Sequence, residues 1–275
     1  MAGEGGEALH TVADALRRAN ELCAEADTGL LTAEDIYRQL LQRLPEGRER
    51  GQVALRAWET ERRLKAIPLY CSEAGQDRYL DEHVFTGRRE GVFIEIGGYD
   101  GVTGSTCLFF EAVRGWTGIV VEPVARHARA AAKFRSSPCV EVAIGPEDGV
   151  AELVHVTDGY TQMSGLLGSY DEDILTAVRE NPLHREKILK VPTRRLDTLL
   201  REQDLTRVDY CSMDVEGAEL AILSTFPFDA FDIEVWSIEN ATGGGEIQQV
   251  MAANGHALLT TLGYDELYRR KDSSR

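Results

Sequence analysis

Long hydrophobic runs are missing from this 275-residue chain, and none approaches the ~20 residues that a helix needs to cross a bilayer. The N-terminal Met1-Ala2-Gly3-Glu4-Gly5-Gly6-Glu7 has no basic region followed by an apolar one, so no signal peptide is read and no membrane partner is expected. Cysteine is scarce: Cys23, Cys71, Cys107, Cys139 and Cys211 form no Cys-x-x-Cys pair, and the odd count suits a reducing cytoplasm rather than a disulfide framework. The six histidines are scattered without helical ligand spacing, which leaves no basis for a zinc site. His127 and His155 read as surface groups or satisfied hydrogen-bond partners. Positive charge is in deficit, 30 Lys and Arg against 46 Asp and Glu for a net charge of -16. Phosphate contacts need clustered Lys and Arg, so a nucleic-acid partner is not expected. The short basic groups Arg17-Arg18, Arg62-Arg63 and Arg269-Arg270-Lys271 sit among acids and read as solvated faces.

What is present supports one sizeable core. With 43% hydrophobic residues, the length predicts a domain of ~200 residues plus an appendage. Residues 1–68 read as an N-terminal helical subdomain. Leu9, Val12, Leu16 and Leu22 recur at helical spacing, and Thr32-Ala33-Glu34-Asp35 offers an N-cap before Ile36, Leu40, Leu41 and Leu44. Pro45-Glu46-Gly47 breaks that pattern, and a second helix is predicted from about Arg48 to Lys65. This appendage is expected to pack on the main domain as a substrate lid or to form a homodimer contact. Residues 69–275 carry the α/β domain.

The densest signal lies at Gly91-Val92-Phe93-Ile94-Glu95-Ile96-Gly97-Gly98-Tyr99-Asp100-Gly101, an apolar strand running into a glycine-rich turn. A helix is predicted from about Thr103 to Val113, followed by a strand Gly118-Ile119-Val120-Val121 that ends in Glu122. An acid at the tip of the second strand, roughly 20 residues past the glycine turn, is placed to bind ribose hydroxyls. A dinucleotide site uses Gly-x-Gly-x-x-Gly because a pyrophosphate lies on helix N-terminal amides. Here the turn is Gly-Gly-x-x-Gly with Glu95 before it and Asp100 inside it. Two carboxylates repel a pyrophosphate but suit the ammonium and sulfonium of S-adenosylmethionine.

Further on, Val208-Asp209-Tyr210-Cys211-Ser212-Met213-Asp214 repeats the pattern of a strand ending in an acid, followed by Val215-Glu216-Gly217-Ala218-Glu219. Ligands of open α/β sheets lie outside the carboxyl ends of the strands, so Asp214 should face the pocket and Glu216 the turn. Glu219, in the first turn of the next helix, is also favourable there on electrostatic grounds alone. The third strand is predicted as Val140 to Ile144, then an alternating strand Val150 to Val156, then a polar, glycine-rich loop from Thr157 to Tyr170. Loops of that length are often functional. Tyr160 and Ser164 are its candidate substrate residues, against the plainer reading of an exposed loop.

Five segments, in order, carry a specific likeness. Gln76-Asp77, the glycine turn through Gly101, Gly115-Trp116-Thr117-Gly118 leading to Val121-Glu122-Pro123, Val191-Pro192-Thr193 before Leu196-Asp197, and Met213-Asp214-Val215-Glu216-Gly217-Ala218-Glu219 resemble the FkbM-type family of S-adenosylmethionine-dependent methyltransferases. Ile238-Glu239-Asn240 fits it too, as does Ser164-Gly165 in the long loop, although Glu-Ile-Gly-Gly stands where the family more often has Asp-Ile-Gly-Ala. The resemblance implies a class I methyltransferase fold, a doubly wound and mostly parallel sheet, and O-methylation of a secondary metabolite or sugar. Under that reading Glu95, Gly97, Gly98, Tyr99, Asp100 and Gly101 surround the methionine part, Glu122 and Pro123 the ribose, and Ala143 and Ile144 the adenine. Asp214 is the candidate general base, or a Mg²⁺ ligand with Glu239 and Asn240, or a contact to the cofactor; Glu216 joins the substrate residues. The acceptor is expected to be a small molecule through a hydroxyl, with an N or carboxylate acceptor or a peptide as alternatives. A nicotinamide-dependent oxidoreductase and a non-catalytic methyltransferase-like binding protein are the other classes the fold permits.

Overall fold

The computed structural model describes residues 27–64 and 70–271, together with Val12 and Arg18. Helices α1 (Asp27–Leu41) and α2 (Arg48–Leu64) precede a short α3 (Gln76–Tyr79) that runs into a π-helical turn, Leu80–Phe85. The sheet core follows as β1 (Val92–Ile96), α4 (Leu108–Arg114), β2 (Thr117–Val121), α5 (Ala125–Phe134), β3 (Cys139–Val140) and β4 (Ala143–Ile144). An inserted segment holds β5 (Gly149–Asp158), β6 (Gly165–Leu166), α6 (Glu172–Arg179) and β7 (Arg185–Arg194). The chain closes with α7 (Leu196–Glu202), β8 (Arg207–Met213), α8 (Glu219–Thr225), β9 (Asp232–Glu239), α9 (Glu246–Ala253), β10 (His256–Leu262) and β11 (Asp265–Arg270).

The main sheet has the order β10-β11-β9-β8-β1-β2-β3. Its β9-β8-β1-β2-β3 part is parallel throughout, and β11 is antiparallel to both its neighbours. Strands buried on both faces are apolar almost continuously, as β1 is, whereas β8 is buried from Val208 to Met213 despite Asp209 and Ser212. Successive β1 side chains divide between two cores: Ile94 and Ile96 pack with Leu199, Met213 and Trp236 on one face, and Phe93 packs with Phe110, Trp116 and Tyr210 on the other. The sheet is thus a doubly wound α/β fold of the class I methyltransferase type. Strand order reverses between β1 and β8, and that switch point is where such sheets bind ligands.

Several predicted boundaries move. The third strand is not continuous: β3 pairs with β2, while β4 pairs with β7 in a second, four-stranded sheet of order β4-β7-β5-β6. The amide of Val142 bonds back to the carbonyl of Val140 at 3.1 Å, so the chain turns between the two short strands. The helix predicted from Thr103 begins at Leu108, since residues 103–107 are spent on a turn. α1 begins at Asp27, leaving Thr32 exposed inside the helix and not at its cap.

Between the N-terminal helices, Ala33, Tyr37, Leu40 and Val53 form a small core against which Val12 packs. Leu9, Leu16 and Leu22 lie outside the described residues, as does the boundary placed at residue 68. α2 sits on the β10–β11 hairpin. The amide of Gly263 donates to the carbonyl of Gly51 at 2.8 Å, and Arg50 Nη1 donates to Thr260 Oγ1 at 2.9 Å. A Cβ on Gly51 would lie 2.6 Å from the Gly263 carbonyl, so only glycine permits this approach. No helix of the described residues is long and apolar enough to cross a membrane.

Candidate active site

A cavity opens at the carboxyl ends of β1, β2, β8 and β9. The turn after β1 is tight for a steric reason. Gly97 has φ +87°, and a Cβ there would lie 2.0 Å from the Asp214 carbonyl. Tyr99 also adopts positive φ, and its amide donates to Glu122 Oε2 at 2.9 Å while Val124 N donates to Glu122 Oε1 at 2.7 Å. Burial pushes the Glu122 carboxyl up to about 7 despite those two bonds. Gly97, Gly98, Tyr99, Glu122, Pro123, Ala143 and Ile144 all line the cavity, as expected from the sequence.

Three neighbours in the expected cofactor set do something else. Glu95 borders the cavity, but its Oε2 takes Arg135 Nη1 at 2.5 Å and its Oε1 takes Ser105 Oγ and the Thr106 amide. Its carboxylate belongs to a buried ion-pair group with Arg135 and Glu111. Asp100 does not line the cavity; it accepts from Val102 N and Thr103 N and so fixes the turn, as a short acidic side chain does. Gly101 is also outside the lining. With φ +80°, its missing Cβ makes room for Ala131 and Arg135.

The opposite wall is acidic. Asp214 follows β8 directly and is exposed to solvent at the cavity, where the atoms crowded around it and the nearby Glu219 push its carboxyl upward. Glu239, the last residue of β9, shares a hydrogen bond with it. Burial, reinforced by Asp214, holds the Glu239 and Glu216 carboxyls well above the usual range. Glu216 sits on the turn with φ +59°, and its buried Oε2 has no hydrogen-bond partner. Glu219, the first residue of α8, accepts from Val215 N at 2.8 Å and Gly217 N at 3.0 Å, which holds that turn.

The expected Asp214, Glu239 and Asn240 ligand set is not assembled. Asn240 stays off the cavity: its side chain donates to the Gly244 carbonyl and accepts from Gly243 N, pinning the turn after β9. The carboxylates that do converge are Asp214, Glu219 and Glu239, with oxygens within 4.8 Å of one another. Such oxygen donors suit a hard cation, but both Glu219 oxygens already take peptide N–H groups.

The long loop folds back over the cavity. Ser164 lines it and accepts from Val156 N, and Leu166 and Tyr170 are buried, whereas Tyr160 is 55% exposed and lies away from the site. Lining residues that sequence reasoning does not place in the site include Glu73, Gln76, His127 and Asp265. His127 is neither at the surface nor satisfied. It is buried with Nε2 unpartnered, and burial lowers its pKa to about 4. His155 is also buried, with Nδ1 unpartnered. Gln76 donates to Asp265 across 189 positions of sequence. Gln76-Asp77 stands out as a pair, yet only the fold shows Asp77 anchoring the backbone at Cys71 and Ser72.

No curated protein matches the chain in sequence. Among solved structures it resembles methyltransferase FkbM from Methylobacillus flagellatus KT, at 12% identity and a TM-score of 0.42 over 85% of this chain; it spans 57% of that protein's length. It also resembles a TehB-like SAM-dependent methyltransferase from Corynebacterium glutamicum, at 13% identity and a TM-score of 0.37, with 78% of this chain and 95% of that one covered. The N-terminal domain of human METTL16 in complex with SAH aligns at 11% identity and a TM-score of 0.38, covering 71% of this chain and 67% of that chain. The family model described as the methyltransferase FkbM domain matches residues 95–265, from the acid of β1 to the first residue of β11. With more than half of its length so matched, the chain belongs to the FkbM methyltransferase-domain family.

Proposed function

We propose that the protein methylates a hydroxyl oxygen of a small molecule in the cytoplasm, with S-adenosylmethionine as donor. The observation that carries the reading is the meeting, in one cavity at the switch point, of the glycine turn with Glu122 on one side and Asp214 on the other. The residues fit the donor. Each carboxylate oxygen of Glu122 accepts one peptide N–H and keeps lone pairs for ribose hydroxyls. Pro123, Ala143, Ile144 and Leu153 supply an apolar wall for a purine, and His127 Nε2 is a buried polar atom in want of a partner. When bound, S-adenosylmethionine supplies an electrophilic methyl group on its sulfonium.

The chain's own part is positioning and proton transfer. Holding two reactants in line is worth about 7 to 11 kcal/mol of barrier. Asp214, with a carboxyl raised to about 7, can take the hydroxyl proton near neutral pH as the oxygen attacks. The sulfonium would supply its methyl in line with the acceptor oxygen, and Asp214 would hold the proton that this oxygen releases. Residues 162–166 of the loop and Leu55 of α2 line the cavity, which supports a lid role for the N-terminal helices. Calorimetric titration with S-adenosylmethionine and S-adenosylhomocysteine, with and without Mg²⁺ and with NADH as control, tests the donor. Micromolar binding of the two methyl-cycle compounds is expected. Binding of NADH alone would assign an oxidoreductase instead.

A further inference from the structure

We infer that the acceptor is an organic cation, a small hydroxylated molecule carrying at least one protonated amine, whose ammonium is seated against Glu216. This rests on the methyl-donor reading and names the substrate class of the same cavity. Five carboxylates face the acceptor side: Glu73, Asp214, Glu216, Glu239 and Asp265. Among the described residues no lysine or arginine lines the cavity. Bound S-adenosylmethionine, with its ammonium and sulfonium against one carboxylate, offsets a single unit of that charge.

Crowding of acids alone would prove little; Glu216 supplies the independent observation. Other deeply buried carboxylates in this fold have partners: Glu95 has Arg135, Asp77 has peptide N–H groups, and Glu219 has Val215 N and Gly217 N. Glu216 is only 7% exposed, lines the cavity, and leaves Oε2 without a partner. An unpaired buried acid is costly, and the positive φ of Glu216 adds backbone strain that surrounding structure must hold in place. A second arrangement points the same way. The β9–β11 register sets Glu239 directly opposite Asp265, where like charges oppose pairing.

A protonated amine fits this distribution because it offers several donors to acceptors spread around it. A divalent ion fits less well. The carboxylates that converge are Asp214, Glu219 and Glu239, which leaves the unpartnered Glu216 unmatched. Phosphorylated or carboxylated acceptors would meet only repulsion.

The test uses the full chain saturated with S-adenosylhomocysteine near neutral pH. Its own binding is measured first, and failure there sinks the donor reading together with this inference. Given donor binding, glucosamine is titrated against glucose, and putrescine against its diol. Each amine is expected to bind at least about tenfold more tightly than its neutral counterpart. Glu216→Gln and, separately, Glu239→Gln should erase most of that preference while leaving S-adenosylhomocysteine affinity unchanged. Equal binding of amine and neutral probe, no amine binding at millimolar concentration, or a preference untouched by both variants would overturn the proposal. So would Mg²⁺ binding that strengthens glucose and glucosamine alike.

Discussion

The hydroxyl of Tyr99 lies 2.8 Å from Oγ1 of Thr161, joining the glycine turn after β1 to the middle of loop 157–170. The same residue's amide donates to Glu122, and its ring meets His127 edge-on at 4.4 Å. One side chain therefore connects the donor wall to its cover.

Tyr99→Phe removes that bond and little else. A single neutral hydrogen bond is worth about 0.5 to 1.5 kcal/mol, so S-adenosylhomocysteine should bind several-fold more weakly. Amide exchange over residues 161–166 should quicken in the variant. Unchanged exchange there would show that the loop is held by Leu166 and Tyr170 alone.

Arg135 has a fully buried side chain between Glu95, at 2.5 Å, and Glu111, at 2.7 Å. Breaking a buried pair from one side leaves uncompensated charge, so Arg135→Met should cost about 3 to 5 kcal/mol in urea denaturation. Adding Glu95→Gln and Glu111→Gln to that variant should restore part of the loss. No shift in the urea midpoint would mean that water reaches the site.

The apo protein should lose stability as pH rises. Asp214, Glu122 and Asp265 have carboxyls pushed up to about 7 from the ordinary range near 4, so the folded state holds more protons than the unfolded chain between those values. Their contribution is complete below about pH 4 and is lost as pH climbs through 7. Glu111 acts in the opposite sense, because Arg135 holds it low despite burial, and its effect falls at more acidic pH. A melting temperature that declines from about pH 5 to pH 8, measured by scanning calorimetry, is the expected result; a rise would mean these groups are ionised when folded.

Asp214→Asn separates chemistry from binding. Loss of a general base costs about 10² to 10⁴ in turnover. S-adenosylhomocysteine affinity should stay at the wild-type value in the same variant. Loss of both would place Asp214 on the cofactor.

The glycine-turn half of the cavity is legible in the sequence because its determinants are local. Gly97, Gly98 and Tyr99 follow one apolar strand, Glu122 ends the next, and Asp214 through Glu219 form one turn. The ion pair of Glu95 is not legible because its partner, Arg135, lies 40 positions away and no periodicity marks the pairing. The break between β3 and β4 was equally invisible. Each has two residues, too short for a pattern, and the switch of sheet is decided by β7, some 50 positions later. Asp265 and Gln76 meet only because β11 inserts beside β9 and α3 packs nearby.

The fit of α2 onto the β10–β11 hairpin through Gly51 divides authorship of the cavity. Leu55, Glu73 and Gln76 line it from segments that precede the family-matched span of 95–265, whereas the donor residues lie within it. One part of the cavity wall is thus encoded outside the matched span, although Glu216, Glu239 and Asp265 lie within it. Drift confined to the first third of the protein can reshape that part of the wall while the glycine turn, Glu122 and Asp214 stay as they are.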